Sequence, residues 1–153
     1  MTIRKLPSGT RGARTPPHLL GRVMTPLVVR VHRLTGDRMN GMDLLYLTTV
    51  GAKSGRARTN PVARFDDGAG GWWIVASAGG AAAHPAWYHN IVAHPDQVTV
   101  EVAKTRHRVQ VEQLEGEPRA VAWRQITAKA PGFAGYETKT DRVLPVLQLS
   151  PVS

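Results

Sequence analysis

A basic turn is the first feature of this sequence that could do chemistry. The segment LTTVGAKSGRARTNPV, residues 47–62, places Lys53, Arg56 and Arg58 beside two glycines, and residues 46–65 contain no Asp or Glu. A Gly-bounded turn between strands exposes backbone N–H groups, and with three cations it can bind a phosphate or a carboxylate. A solvated basic turn accounts for the same residues equally well. The turn is not a P-loop, because the spacing G-x-x-x-x-G-K-[ST] is absent.

A second candidate binding feature lies further along the chain. The stretch ASAGG, residues 76–80, offers small residues whose backbone amides are open to a ligand, and HPAWYHN follows at residues 84–90. Trp87, Tyr88 and Asn90 in this stretch would suit a flat heteroaromatic ring. Large aromatic residues more often serve core packing, so Trp87 by itself does not decide between a binding site and a core.

A metal site is the third chemistry that the spacing suggests. His84, His89 and His94 are each five residues from the next. That step turns successive side chains about 140° apart on a helix, and prolines interrupt the run, so the three rings are not expected to converge. The sequence contains no cysteine, which excludes disulfides and thiolate metal ligands and suits a reducing cytoplasm. We therefore expect no metal site and a cytoplasmic protein.

The chain of 153 residues has the length of one globular domain, and its charge is uneven. Residues 1–40 hold eight Lys and Arg against one acid, whereas residues 41–153 hold twelve against ten. Residues 1–16 are polar and broken by Gly and Pro, and they are predicted to be a disordered basic leader. Residues 17–40 have apolar positions at three- and four-residue steps and are predicted to form an amphipathic helix.

This basic helix has two possible uses. Its apolar face can pack on its own domain, or it can lie on an anionic membrane surface, and the two are compatible. No run approaches the roughly 20 apolar residues of a membrane span. The expected location is therefore cytoplasmic, with possible peripheral contact at the inner face of the cell membrane through residues 1–40.

The elements that must position the candidate residues lie in residues 41–153, the predicted binding domain. DLLYLTTV, RTNPVARF and GWWIVASA are typical of strands, with DDGAGG as a hairpin signal. QVTVEV and TRHRVQVEQL are predicted to pair as a hairpin, and LPVLQL is predicted to close the chain as a strand. A short helix is predicted after Pro85 and another at residues 118–129. About six strands and two or three short helices favour an α+β fold, a mostly antiparallel barrel.

Three segments together resemble a known family. LLYLTTVGAKSGRARTNPV, VASAGGAAAHPAWYHNIVAHPDQVTVEV and TDRVLPVLQL are similar to the deazaflavin-dependent nitroreductases of actinobacteria over roughly residues 40–150. The resemblance implies a split β-barrel related to flavin-binding oxidoreductases. It also implies a reductase that transfers hydride from reduced coenzyme F420 to a quinone, an activated alkene or a nitroaromatic compound.

The resemblance also assigns site residues. Lys53 and Arg58 match the positions that hold the phosphate and the oligoglutamate tail of the coenzyme, which would supply the acids that the basic turn lacks. Ser77 and Tyr136 are the candidates for hydrogen bonding to the reacting acceptor. The implied coenzyme-binding residues are Ala52, Lys53, Ser54, Arg58, Thr59, Asn60, Pro61, Val62, Ala63, Ala76, Ser77, Ala78, Gly79, Trp87, Tyr88 and Asn90.

This chain departs from the family pattern at two kinds of position. Relatives often carry SKGG where this chain has SAGG, so Ala78 replaces a cation. Ala63, Ala130 and Phe133 stand where nitroimidazole-activating members present tyrosines, and Tyr136 is the one that remains. Two other functions stay open at the level of sequence. One is a non-catalytic F420 carrier, and the other, suggested by the net charge of +9, is a nucleic-acid-binding module. The sequence contains no recognised nucleic-acid-binding motif, so we expect no nucleic-acid partner.

Overall fold

A computed structural model describes residues 2–13, 36, 38, 39 and 41–152. Eight strands form one curled antiparallel sheet. They are β1 Arg38–Met39, β2 Met42–Val50, β3 Ala57–Ala63, β4 Phe65–Asp66, β5 Trp72–Val75, β6 Thr99–Val102, β7 Thr105–Gln113 and β8 Val146–Pro151. The order is β1-β2-β6-β7-β8-β5-β4, and β3 pairs with β2 outside this path. The predicted α+β fold is confirmed.

Within the described residues, three α-helices pack on this sheet: α1 Ala86–Ala93, α2 Gly116–Lys129 and α3 Gly132–Lys139. The helices predicted after Pro85 and over residues 118–129 are α1 and α2. A 3-10 turn, Ala78–Gly80, follows β5 and contacts α3. The amphipathic helix predicted at residues 17–40 falls mostly outside the described residues, and Arg38–Met39 at its end is strand β1 instead.

The predicted hairpin of β6 and β7 is present, with Val102 opposite Thr105. Its two-residue turn holds Ala103 at φ 49° and Lys104 at φ 70°. A two-residue hairpin turn requires positive φ at both positions when it follows the twist of the strands, and Gly or Asn is the usual choice. Neither residue is one of these, which explains why the sequence marks this turn only through the alternation on either side.

The buried side chains form two apolar clusters. The larger joins the inner faces of strands β2, β5, β6, β7 and β8 to helix α1, with Leu45, Ile74 and Leu147 among its fully buried members. The smaller lies between β5, β8, α2 and α3 and includes Trp73, Ile126 and Phe133. Alternate residues along each strand point to the same face of the sheet, and their side chains form these clusters. The packed face supports the loops that connect the strands.

The N-terminal segment differs from the sequence prediction. Residues 1–16 were expected to be a disordered leader, but residues 2–13 lie against the barrel. Ile3 is buried in the larger cluster, and Leu6 N donates to Tyr88 Oη at 3.0 Å. Arg4 forms an ion pair with Glu115 at 2.8 Å.

Acceptors from elsewhere in the chain order the rest of this segment. The Asp141 carboxylate accepts hydrogen bonds from Thr10 N at 2.8 Å, from Thr10 Oγ1 at 2.5 Å and from Arg11 N at 3.2 Å. The bonds from Thr10 and then Arg11 lower the pKa of Asp141 to about 2. Gly9 N and Ala13 N donate to the carbonyls of Ala82 and Gly80. The polar groups of this segment bind polar partners elsewhere in the chain. From composition alone, such a polar segment is predicted to be disordered.

Candidate functional site

The basic turn between β2 and β3 presents its cations to solvent. Lys53, Arg56 and Arg58 are exposed, and none of them pairs with a carboxylate within the described part of the chain. Gly51 N donates to Arg56 O at 2.8 Å and Gly55 N donates to Gly51 O at 3.0 Å, so the turn closes on itself. The turn therefore presents its positive charge outward with no acid to neutralise it.

Glycine at position 51 is required by a close approach. A Cβ there would meet Ser54 Oγ and lie 3.3 Å from Arg56 O. The Ser54 hydroxyl accepts a hydrogen bond from Arg56 N at 3.2 Å, so it helps to shape the turn. No acceptor for the backbone N–H groups of Lys53 and Ser54 is found among the described residues. Both residues are exposed, so these two amides remain available to a ligand.

Asn90 fixes the turn to helix α1. Its Oδ1 accepts a hydrogen bond from Ala52 N at 2.9 Å, and its Nδ2 donates to Thr49 Oγ1 at 3.1 Å. Asn90 and Thr49 are both buried, so the hydrogen bond between their side chains is shielded from water. Asn90 was predicted to contact the coenzyme; the structure gives both ends of its amide to the protein.

The loop after β5 presents backbone amides instead of cations. Ser77 is in the right-handed helical region, whereas Ala78, Gly79 and Gly80 have φ of 46°, 63° and 84°. A right-handed residue followed by a left-handed one turns successive N–H groups toward one concave surface, the arrangement called a nest. Among the described residues no acceptor is found for the N–H groups of residues 77–79. The loop therefore offers three donors to one anionic oxygen.

Two of the predicted site aromatics lie in the core. Tyr88 has no exposed surface, and Trp87 is 9% exposed. Tyr88 Oη donates to Gln113 Oε1 at 2.7 Å and accepts from Leu6 N at 3.0 Å, which satisfies its hydroxyl. In this structure Tyr88 has no surface with which to contact a ligand, and Trp87 has little.

Strand β3 runs beside the basic turn as an edge strand. It pairs only with β2 among the described strands, and Pro61, which has no N–H group, is compatible with an edge. Thr59 Oγ1 hydrogen bonds to Thr48 Oγ1 at 2.9 Å. Asn60 and Ala63 are half-buried, and Val62 is buried in the larger cluster. The open edge and partly exposed face leave this strand accessible along its length.

Helix α3 brings Tyr136 to the 3-10 turn that follows Ser77. A Cβ at Gly80 would lie 2.9 Å from Tyr136 O, which places the two backbones side by side. The Tyr136 ring is half-buried and meets Phe133 edge-on at 5.3 Å between centroids. Lys139 Nζ lies 5.6 Å from the centroid of the Tyr136 ring. Ala130 is buried in the same cluster as Phe133.

A buried arginine that the sequence did not single out lies behind this loop. Arg142 is 4% exposed and donates hydrogen bonds to the carbonyls of Ala76, Ser77 and Ala81 at 2.9, 2.7 and 3.0 Å. Its Nη1 also lies 2.9 Å from His84 Nδ1. In the sequence Arg142 stands between Asp141 and Val143, before the predicted strand LPVLQL, and such a position is common for surface arginines too.

Two half-open depressions lie elsewhere in the described part of the chain. One cavity, of about 430 Å³, lies between residues 2–4 and strand β7 with Glu115, and another, of about 130 Å³, is lined by Met42, Arg64 and Phe65 with their neighbours. Neither includes the basic turn or residues 76–80. The three histidines do not form a metal site either, since the described residues contain no cluster of three metal-binding side chains.

Comparison with known proteins now decides the family. The model of the F420H2-dependent quinone reductase family matches residues 20–151. The chain belongs to this family. It is therefore an F420-dependent oxidoreductase whose acceptor is a small molecule, which decides against a non-catalytic carrier.

Solved structures agree with this family in sequence and fold. An F420-H2 dependent reductase, FDR-A, is 38% identical with a TM-score of 0.63, and the match covers 70% of this chain and 93% of that one. A structure described as a domain-swapped dimer is 33% identical with a TM-score of 0.64, over 81% of this chain and 96% of that one. HutZ, a heme storage protein from Vibrio cholerae, shares only 15% identity but the same fold, with a TM-score of 0.55 over 84% and 89% of the two chains.

The residues present fit reduced coenzyme F420, which the family uses. A phosphate and a glutamate tail need cations and N–H donors that are not already paired. Within the described residues, the turn at 51–58 supplies three unpaired cations and two free amides, and residues 77–79 supply three more amides. The donor set is basic, exposed and free of acids, as a polyanion requires.

Proposed function

We propose that Lys53 and Arg58 bind the phosphate and tail of F420, with the amides of Lys53, Ser54 and residues 77–79 as further donors. The observation that supports this most strongly is the unpaired state of the cations in a turn that Asn90 holds in shape. Charge-assisted hydrogen bonds to phosphate are roughly twice as strong as neutral ones, so the polyanionic part should supply most of the affinity.

The deazaflavin ring would then lie along residues 58–63 of β3, toward the loop at residues 76–79. When bound in its reduced form, the coenzyme supplies a hydride to the acceptor. The protein's own contribution is to orient ring and acceptor, and to place donors where negative charge develops on the acceptor oxygen. The Ser77 and Tyr136 hydroxyls are our candidates for those donors, and a quinone is the acceptor class that we favour, with activated alkenes and nitroaromatics as alternatives.

Substitution of the two cations tests this site. Lys53→Ala and Arg58→Ala should each raise the dissociation constant of F420 about ten- to hundredfold, since each removes a hydrogen bond to a charged group. Arg124→Ala is the matched control, because Arg124 is equally exposed but lies on helix α2. Fluorescence titration measures the binding. Unchanged affinity in both site variants would refute the assignment while leaving family membership intact.

Peripheral membrane contact is a separate proposal that rests on the charge of residues 1–40. Each Lys or Arg near an anionic surface contributes about 1 kcal/mol, and salt screens this over about 8–10 Å. None of the helices in the described ranges is long and apolar enough to cross a bilayer. We expect flotation with anionic vesicles at low salt but not with neutral vesicles or at high salt. Absence of flotation with both vesicle types would end this proposal.

A further inference from the structure

The buried Arg142 is unusual because its guanidinium donates to three backbone carbonyls and otherwise contacts only a neutral acceptor, His84 Nδ1, among the described residues. Within the described residues no carboxylate pairs with its guanidinium, and the adjacent Asp141 is exposed and bonded to Thr10 and Arg11. An arginine keeps its charge even when buried, so taking this one out of water is costly unless its donors are used. All of the carbonyls that it uses belong to the loop after β5.

Peptide geometry connects these carbonyls to the site. In a trans peptide, the C=O of one residue and the N–H of the next lie in one plane and point in opposite directions. The chain contains no cis peptide within the described residues. Because Ala76 O and Ser77 O point at Arg142, the N–H groups of Ser77 and Ala78 point away from it. Arg142 therefore fixes, from behind, the direction in which two of the three free amides face.

The same loop contains a conformation that needs support. Ala78 has a left-handed φ of 46°, which costs an L-residue with a Cβ roughly 1–2 kcal/mol. Arg142 bonds to carbonyls on both sides of Ala78, at Ser77 before it and at Ala81 after it. A single rigid fork thus brackets the strained residue, which a flexible ammonium group cannot do as well.

Arg142 is itself positioned by His84 and Thr140. His84 Nε2 lies 2.8 Å from Leu6 O, which can only accept, so the proton is on Nε2 and Nδ1 is left to accept from Arg142. The Thr140 hydroxyl accepts from Arg142 N at 3.1 Å and donates to Arg11 O at 2.8 Å. The guanidinium is therefore positioned by residues from three separate parts of the chain.

We propose that Arg142 is a positioning residue for coenzyme binding: it preorganises the amides of residues 77–79 to bind an anionic oxygen of F420 and places a positive charge behind them. This rests on the proposed coenzyme site. Arg142 is buried behind the loop and does not touch the coenzyme itself.

Arg142→Lys tests the proposal, because lysine keeps the charge and loses the fork. We expect the dissociation constant and the KM of F420 to rise about tenfold. A change of this size corresponds to the loss of one or two hydrogen bonds. The affinity for the deazaflavin ring with its ribityl chain but no phosphate should change less than about twofold, and so should the KM of a quinone. Equal losses for both forms of the coenzyme, or no loss for either, would overturn the proposal.

Two comparisons separate positioning from a general structural role. Arg119→Lys is the control, since Arg119 is a half-buried arginine that donates to a single backbone carbonyl, Leu144 O at 2.9 Å, outside the loop at residues 76–81. Arg119→Lys should not change the affinity for F420. If Arg142→Lys does not fold, Thr140→Val replaces it, with an expected rise of about threefold that Thr140→Ser reverses. A rise that Thr140→Ser does not reverse would count against the proposal.

The cation variants distinguish failure of this proposal from failure of the site on which it rests. If Lys53→Ala and Arg58→Ala weaken F420 binding but Arg142→Lys does not, the site stands and the role of Arg142 is wrong. If none of the three weakens binding, the proposed site itself is wrong.

Discussion

The basic turn at residues 51–58 and the loop at residues 76–81 present positive potential in opposite ways. In the basic turn the cations are exposed and an amide side chain, Asn90, holds the backbone from behind. In the loop the cation is buried and the backbone amides are at the surface. Exposed cations are adaptable but lose rotamer entropy on binding, whereas fixed amides are already oriented. The two regions together suit a ligand with a flexible anionic tail and a rigid ring.

The largest effect we predict concerns the anchor of the basic turn. Asn90→Ala should lower the free energy of unfolding by about 2–3 kcal/mol, because Ala52 N loses its acceptor and a buried amide is replaced by a void. It should also weaken F420 binding, since the turn is no longer held. Chemical denaturation and fluorescence titration measure the two effects.

A matched substitution lies on the neighbouring strand. Asn60 is half-buried, and its side chain has no hydrogen bond among the described residues, so Asn60→Ala should change stability by no more than about 0.5 kcal/mol. If the two asparagine variants were equally stable, Asn90 would not be the anchor of the turn.

The contrast between the two regions also explains what the sequence could predict. Lys53 and Arg58 are recognisable because everything that defines their turn is local: two glycines, flanking strands and a run without acids. Arg142 is not, because its hydrogen-bonding partners His84, Ala81, Ser77 and Ala76 are 58 to 66 residues away along the chain. Its neighbour in sequence is an acid, which suggests a surface ion pair.

Most strands were predictable because their signals are also local in the sequence. The exceptions depend on contacts between distant parts of the chain. The alternating segments QVTVEV and TRHRVQVEQL form β6 and β7, which pair as the predicted hairpin, and the predicted strand LPVLQL overlaps β8. Residues 2–13 were mispredicted because a short polar segment cannot bury a core of its own, whereas here Asp141 and the barrel supply its contacts. From the sequence, Trp87 and Tyr88 could belong to a binding site or to the core. Their deep burial follows from how the folded chain packs around them.

A smaller effect, dependent on pH, should appear in the loop region. Burial lowers the pKa of His84 most, and the nearby charge of Arg142 and His89 lowers it further, against the hydrogen bonds to Leu6 O and Pro7 O. The unfolded chain, with an ordinary pKa near 6.5, then binds more protons than the folded one just below that pH. Stability is therefore full above about pH 6.5 and is lost as the pH falls toward the lowered pKa of the folded state.

Thermal unfolding between pH 7.5 and 5 measures this slope, to which one histidine can contribute at most about 1.4 kcal/mol per pH unit. His84→Gln should flatten it. His89, whose pKa is also lowered by burial and then by Lys5, contributes a second part, so His89→Gln is the companion variant. An unchanged slope in His84→Gln would show that His84 does not act as a neutral acceptor for Arg142.

The smallest effect we predict comes from adding a cation to the loop at residues 76–81 itself. Ala78→Lys introduces an ammonium group beside the free amides of residues 77–79 and matches the SKGG pattern of relatives. The new residue must keep the left-handed φ of 46°, but Ala78 already has a Cβ, so lysine adds no backbone strain beyond the present one. We expect a two- to tenfold fall in the dissociation constant of F420, about 0.5–1.5 kcal/mol, because lysine gives up rotamer entropy at a wet site.

The matched control for this variant is Ala78→Gln, which lengthens the side chain at the same φ without adding charge. The gain should occur only with lysine, and it should shrink as salt rises, because the interaction is between exposed charges. It should appear in binding more than in turnover, since the cation would lie away from the reacting carbon. Isothermal titration at two salt concentrations measures it. Equal affinities for the lysine and glutamine variants at low salt would mean that residue 78 does not face the anionic part of the coenzyme, and that the amides of this loop bind an uncharged group instead.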